Sequence, residues 1–295
     1  MRPLPPSVLL LIAPLAIACR AHEPPPPRPT AGPRLVAVGD LHGDLPHALE
    51  ALRLAGVVDT EGHWSGGDAT LVQTGDMVDR GAQSREILAL MRRLQGEAEA
   101  AGGRVEALLG NHEVMNLEGD WRYVSADDLA GYGGEAARQA AFAREGEDGA
   151  WLWARPVVLR VGPTVFVHGG VTPEAAALGV EALDARFRAA LSEEGESDLV
   201  GREGPVWYRG YLLGGVTEAC PDLQRALASL GATRMVVGHT TQDDGRIAVR
   251  CQGALLGIDT GISAHYGAHV AALELRGDDA WALYPAGPED LPDPP

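Results

Sequence analysis

The chain has 295 residues, 45% of them hydrophobic, and carries a formal net charge of −17. That length and apolar content suffice for one large α/β domain with a substantial core. The charge argues against nucleic acid or an anionic membrane surface as a partner, and it opposes long-range attraction of anionic substrates.

Arg2 gives a positive start, Ser7 to Ala18 is mostly apolar, and Cys19 follows Ala16-Ile17-Ala18. This run is too short to cross a bilayer as a stable helix and suits a secretory signal over residues 1–18. A cysteine directly after small residues resembles a bacterial lipoprotein cleavage site. Lipid attachment at Cys19 is therefore expected, with ordinary secretion and an uncleaved anchor as alternatives. The protein is expected to be exported, to the periplasm or outer surface. Residues 19–33 are proline-rich and read as a semi-rigid tether before a domain over 34–284. With Cys19 modified, Cys220 and Cys251 remain as an even pair in an oxidising compartment. A disulfide between them is expected, two buried thiols being the alternative.

A strand over Leu35–Gly39 leads through Asp40-Leu41-His42-Gly43 to a helix around Leu45–Ala55. The next strand, Ala69–Thr74, empties into Gly75-Asp-Met-Val-Asp-Arg-Gly81. Ser84–Ala101 has helical spacing, with Ile87, Leu88, Met91 and Leu94 as its apolar stripe. Val105–Leu109 is a third strand and runs into Gly110-Asn-His-Glu113. Leu117–Arg155 is less regular and holds an Ala-rich helix at Glu135–Arg144. Val157–Val161 and Thr164–Val167 read as a hairpin ending at His168-Gly-Gly170, and Ser192–Gly204 as an acidic loop. Strands follow at Met235–Val237, Ile247–Arg250, Ala254–Ile258, Val270–Leu275 and Ala280–Tyr284, the first of them entering Gly238-His-Thr240. The Pro- and acid-rich tail 285–295 reads as disordered. Leu117–Arg155 and Val171–Tyr211 lie between the ligand-bearing turns, as walls of a cleft or as packing helices.

A buried strand that ends in a glycine turn delivers its next side chains to the carboxyl edge of a sheet, where α/β folds place their sites. The five turns together hold carboxylates, one carboxamide and imidazoles, a mixed O/N donor set that suits Mn, Fe or Zn better than calcium. Two such ions need a bridging ligand, and the Asp76 carboxylate is the best candidate. Asp40 and His42, two apart on an extended segment, would grip one ion, and Asn111, His168 and His239 the other. A water or hydroxide shared by two ions is a strong nucleophile at neutral pH. Arg80 matches the fork geometry and charge of a phosphoryl group. His112 is placed to protonate a leaving alkoxide, with Asp79 orienting its ring. In-line hydrolysis of a phosphate ester uses all of these parts. His22, His47, His63, His265 and His269 have no such setting and default to surface or packing roles.

The series GDLHG, GDMVDRG, GNHE, HGG and GHT resembles the calcineurin-like metallophosphoesterases over residues 34 to 276. The form GDMVDRG points to their phosphoprotein phosphatase branch. The stretches Gly110–Val124 and Arg234–Thr240, the latter followed by Gln242, resemble the bacterial-type Shewanella-like protein phosphatases. The resemblance implies two mixed β-sheets packed as a sandwich flanked by helices. It also implies metal ligands at Asp40, His42, Asp76, Asn111, His168 and His239, the proton donor His112 with Asp79, and phosphate binding by Arg80. A second phosphate-binding arginine of the family matches Arg209 in Val206-Trp-Tyr-Arg-Gly210. Many phosphodiesterases of the superfamily carry a second histidine in the last block, where Thr240-Thr241 stand here. The expected substrate is a phosphorylated protein or small phosphoester. A dinucleoside-tetraphosphatase-like hydrolase and a non-catalytic metal-binding lipoprotein are the alternatives.

Overall fold

The computed structural model describes Met1, residues 32–192 and residues 197–295. Apart from Met1, the expected signal, Cys19 and nearly all of the tether lie outside the described residues. In chain order the strands are β1 (Leu35–Val38), β2 (Thr70–Gln73), β3 (Arg104–Ala107), β4 (Val158–Val161), β5 (Thr164–Val167), β6 (Arg234–Val237), β7 (Ala248–Arg250), β8 (Leu255–Gly257), β9 (Ala272–Arg276), β10 (Asp279–Tyr284) and β11 (Gly287–Leu291). The helices are α1 (Leu45–Leu54), α2 (Ser84–Ala100), α3 (Asn111–Leu117), α4 (Ala126–Tyr132), α5 (Glu135–Phe142), α6 (Glu147–Trp153), α7 (Pro173–Ala176), α8 (Val180–Ser192), α9 (Gly210–Leu213) and α10 (Val216–Leu230).

One sheet runs β11-β10-β9-β1-β2-β3 and the other β4-β5-β6-β8-β7. Both are mixed: β1, β2 and β3 are parallel, as are β5, β6 and β8. The period-2 alternation of strand side chains builds two cores from one set of residues. Ala37, Val72 and Leu273 of the first sheet meet Phe166, Val236 and Leu256 of the second. Their neighbours Val36, Val38, Val165, Val167, Met235 and Val237 face outward into a larger core with the helices. In α2 the expected stripe of Ile87, Leu88, Met91 and Leu94 is fully buried there. The result is the helix-flanked sandwich the sequence implied.

The tail is a correction. Residues 287–291 form β11, paired antiparallel to β10 from Tyr284↔Gly287 to Ala280↔Leu291. Acid and proline content suggested disorder, but an edge strand tolerates both: proline lacks only an N–H, which at an edge position need not be paired. The irregular section 117–155 also holds more structure than expected, with α4 and α6 beside the anticipated α5.

Cys220 in α10 and Cys251 after β7 form a disulfide across a sequence separation of 31 residues, with Cα atoms 5.4 Å apart. In the chain-entropy picture a loop of this size stabilises the fold by about 3–4 kcal/mol. Reducing it should lower the urea midpoint accordingly, and an unchanged midpoint in the presence of reductant would refute that contribution.

Candidate metal centre

Five parallel strands, three in one sheet and two in the other, end at the same edge and lead into donors there. Asp40 follows β1, Asp76 follows β2, Asn111 follows β3, His168 follows β5 and His239 follows β6. Every one of these side chains is buried. Backbone bonds sew the first two turns together, with Leu41 N and His42 N both donating to Asp76 O at 2.9 Å. Glu113 fixes the second turn against the third by accepting from the N–H groups of Asp76, Met77 and Gly110, each at 2.7 Å. Burial and the nearby Asp76 push its carboxyl up to about 7, against the pull of those N–H groups. Only glycine fits at position 110, because a Cβ there would overlap the Asp76 carboxylate and backbone nitrogen.

The backbone carries strain where the donors are. His42, Asp76, Asp79, Arg80 and His239 all have φ between 46° and 69°, a left-handed conformation that non-glycine residues rarely hold without compensation. This revises one detail of the sequence reading. Asp40 and His42 do face one centre, with His42 Nε2 at 3.9 Å from Asp40 Oδ2, but through a left-handed turn instead of an extended segment.

Asp76 sits at the junction of two donor groups. His42 Nε2 is 3.7 Å from its Oδ2 on one side and His168 Nε2 is 3.2 Å away on the other. The ligand atoms of Asp76, His168 and His239 lie within 4.8 Å of one another, as do those of His42, Asp76 and His112. Asn111 Oδ1 is 3.0 Å from His168 Nε2. The far nitrogen of each imidazole is engaged by a carbonyl: His168 Nδ1 by Thr74 O at 2.9 Å, His42 Nδ1 by Val78 O at 3.3 Å. That leaves their Nε2 lone pairs turned to the centre. His239 is reversed, with Nε2 on Trp207 O at 3.2 Å and Nδ1 inward.

The donor chemistry fits divalent cations. Burial holds His42 at about 3 and His239 at about 2, the latter with help from His168 and Arg209, so both are neutral donors at physiological pH. Burial, then Asp259 and Asp76, push the Asp40 carboxyl well above the ordinary carboxylate range. Burial resists ionisation of Asp76, but the surrounding imidazoles, His168 foremost, outweigh it and hold that carboxyl well below the usual range. A cluster of buried carboxylates that repel one another is a site short of positive charge, and metal cations would supply it.

His112 Nδ1 lies 2.8 Å from Asp79 Oδ2, which turns Nε2 toward the cleft, 3.9 Å from Asp76 Oδ2. Burial lowers the His112 pKa, yet Asp76 and Asp79 raise it above the ordinary imidazole value on balance. Arg80 lies 3.9 Å over the Tyr123 ring, and its Nε is buried with no hydrogen-bond partner among the described residues. Arg209 donates to the carbonyl of His239 and lines the same cleft of about 160 Å³. Tyr123, Trp207 and Tyr266 complete the rim.

The ten residues expected from sequence as metal ligands, acid, orienter and phosphate clamp all lie at this centre or directly against it. Sequence reasoning missed Asp259, buried after β8 and bonded to Thr241 Oγ1 at 2.7 Å; the signal was the turn Gly257-Ile-Asp-Thr-Gly261 after an apolar run. It also missed Tyr266, whose ring centroid is 4.8 Å from that of His42. Of the two sections between ligand turns, Val171–Tyr211 supplies Trp207 and Arg209 to the cleft, and Leu117–Arg155 supplies Tyr123.

Two sheets with a buried mixed-donor cluster at their shared edge define a metal-dependent phosphoesterase, and residues 33–243 match the Calcineurin-like phosphoesterase family, to which the chain belongs. It is 32% identical to Shewanella-like protein phosphatase 2 of Arabidopsis thaliana over 280 residues, 78% of this chain and 71% of that protein. An uncharacterized protein of Schizosaccharomyces pombe is 40% identical over 264 residues, 85% of this chain and 79% of that one. Among solved structures, the cold-active protein-tyrosine phosphatase of a psychrophilic Shewanella superposes with a TM-score of 0.78 at 29% identity, covering 88% of this chain and 81% of that one.

Proposed function

We propose that this metallophosphoesterase is an exported phosphoprotein phosphatase cleaving phosphomonoesters, with manganese as its metal and iron or zinc as the alternatives. The observation that carries the reading is the Asp76 carboxylate, set between two groups of imidazoles beside an acid–orienter pair and two arginines. When bound, two divalent ions supply an activated water and neutralise phosphoryl charge. Asp40, His42 and Asp76 would hold one, and Asp76, Asn111, His168 and His239 the other. Arg80 and Arg209 would orient the phosphoryl oxygens from the cleft rim. His112 would deliver a proton from Nε2 to the leaving oxygen while Asp79 holds Nδ1–H.

The protein-phosphatase names of the relatives support a phosphoprotein substrate, and the aromatic rim of Tyr123, Trp207 and Tyr266 suits a phosphotyrosyl ring. A panel of phosphotyrosyl and phosphoseryl peptides with a dinucleoside tetraphosphate tests this. Preference for the nucleotide would move the chain to the tetraphosphatase reading. Export rests on the sequence of residues 1–19, and the disulfide suits an oxidising compartment. If Cys19→Ala left the protein in the membrane fraction as fully as wild type, lipid attachment there would be wrong.

Arg80→Ala should raise KM and the inhibition constant for phosphate and lower kcat/KM by roughly 10–100-fold, the loss of a charge-assisted pair, with metal content unchanged. Phosphate inhibition equal to wild type would remove Arg80 from the clamp.

A further inference from the structure

Among the described residues the two largest fully buried side chains are Arg138, on α5, and Arg234, and Arg138 is the one that reaches the site. No step of the reaction described above uses it. Its guanidinium reaches three different partners: Nε donates to Asp128 Oδ2 at 3.0 Å, Nη1 to Asn116 Oδ1 at 2.6 Å, and Nη2 lies 3.5 Å from Asp79 Oδ1. Phe142, Tyr132 and Trp121 surround it, with ring centroids 4.3, 5.4 and 5.5 Å from Cζ. A guanidinium is costly to bury, so one that is fully enclosed must be compensated by its partners. Here those partners are the groups behind His112.

Asn116 is the intermediary. It stands one helical turn beyond His112 on α3, and its amide nitrogen donates to Asp79 Oδ1 at 2.9 Å, Asp79 Oδ2 at 3.0 Å and His112 O at 2.8 Å. An amide can turn over and exchange its donor for its acceptor end. With Nη1 of Arg138 on Oδ1, the nitrogen must face Asp79. Without it, Asn116 Oδ1 loses its donor and Asp79 its nearby guanidinium, so both are held less firmly on the line to His112 Nδ1. The hydrogen bonds close a ring: Asp128 Oδ1 accepts from Ser84 N at 2.9 Å, and Ser84 Oγ accepts from Asp79 N at 3.1 Å.

We infer that Arg138, acting through Asn116 and Asp79, is a positioning residue for the proton donor His112, and that α4 and α5 are a buttress for that donor more than a wall of the cleft. The inference rests on His112 being the acid, so its test is built to separate the two. An acid at the leaving oxygen matters little when the leaving group is already a good one. Loss of its positioning should therefore slow phenyl phosphate hydrolysis much more than p-nitrophenyl phosphate hydrolysis.

For Arg138→Met, kcat on phenyl phosphate should fall by about 10–100-fold, part of the usual worth of a general acid, with p-nitrophenyl phosphate slowed only a few-fold and KM and metal content near wild type. Arg138→Lys, which keeps the charge without the fork, should recover part of the loss. In an Asp79→Asn background, Arg138→Met should add little, because both act on one line of contacts. Equal slowing of both substrates, or full additivity with Asp79→Asn, would overturn the inference. If Arg138→Met does not fold, Asn116→Ala decides in its place by the same substrate comparison. Should His112→Ala itself slow both substrates equally, the assignment of the acid is at fault; should it discriminate while the Arg138 and Asn116 variants do not, only the buttress is.

Discussion

Asp76→Ala is expected to abolish turnover and to cost both metal ions together. Among the described residues its carboxylate is the group shared by the two donor clusters, so its loss removes a ligand from both ions at once. The effect should be read as metal content per chain alongside activity. The fold should survive, because Asp76 belongs to neither hydrophobic core. A variant that retained one full equivalent of metal would show that Asp76 serves a single ion, and the binuclear reading would fail.

His112→Ala is expected to slow turnover by roughly 10²–10⁴-fold, the range of a lost general acid, while leaving metal content close to wild type. The structure makes the second half of that statement a sharp test. His112 Nε2 lies near Asp76 Oδ2, and the ring belongs geometrically to the same donor group as His42. What sets it apart is the Asp79 carboxylate on Nδ1, itself fully buried and held by Asn116. Metal loss in proportion to activity would make His112 a ligand instead.

The centre was legible in the sequence because each donor sits directly after an apolar run and within a glycine turn, a pattern that encodes both depth and edge. Asp40, Asp76 and Asn111 are each specified by residues within a few positions of themselves. What the sequence concealed depends on contacts between distant segments. Asp259 follows a strand like the others, but its role appears only when β8 lies parallel to β6 and brings that turn to the same edge. Arg138 lies in an Ala-rich helix whose spacing reads as ordinary packing; its partners are 10, 22 and 59 positions away. Tyr266 reaches His42 from the opposite end of the chain. The strand β11 was hidden by composition, since its acidic and proline residues are acceptable only at the edge of a sheet that the sequence does not reveal by itself.

The left-handed residues give a second view of the same division. His42, Asp76, Asp79, Arg80 and His239 take a backbone conformation that their side chains disfavour, in turns held by Glu113 and by bonds between neighbouring loops. Local preference is overruled there by tertiary contacts, and those are the positions to which the chemistry is assigned.

The account stands most directly on a crystal structure of the manganese-loaded protein with vanadate or phosphate bound, using anomalous scattering to locate the metal. It predicts two ions roughly 3.5–4 Å apart, with Asp76 between them and the oxyanion facing Arg80 and His112. A single ion, or a pair that leaves Asp76 unligated, would contradict it.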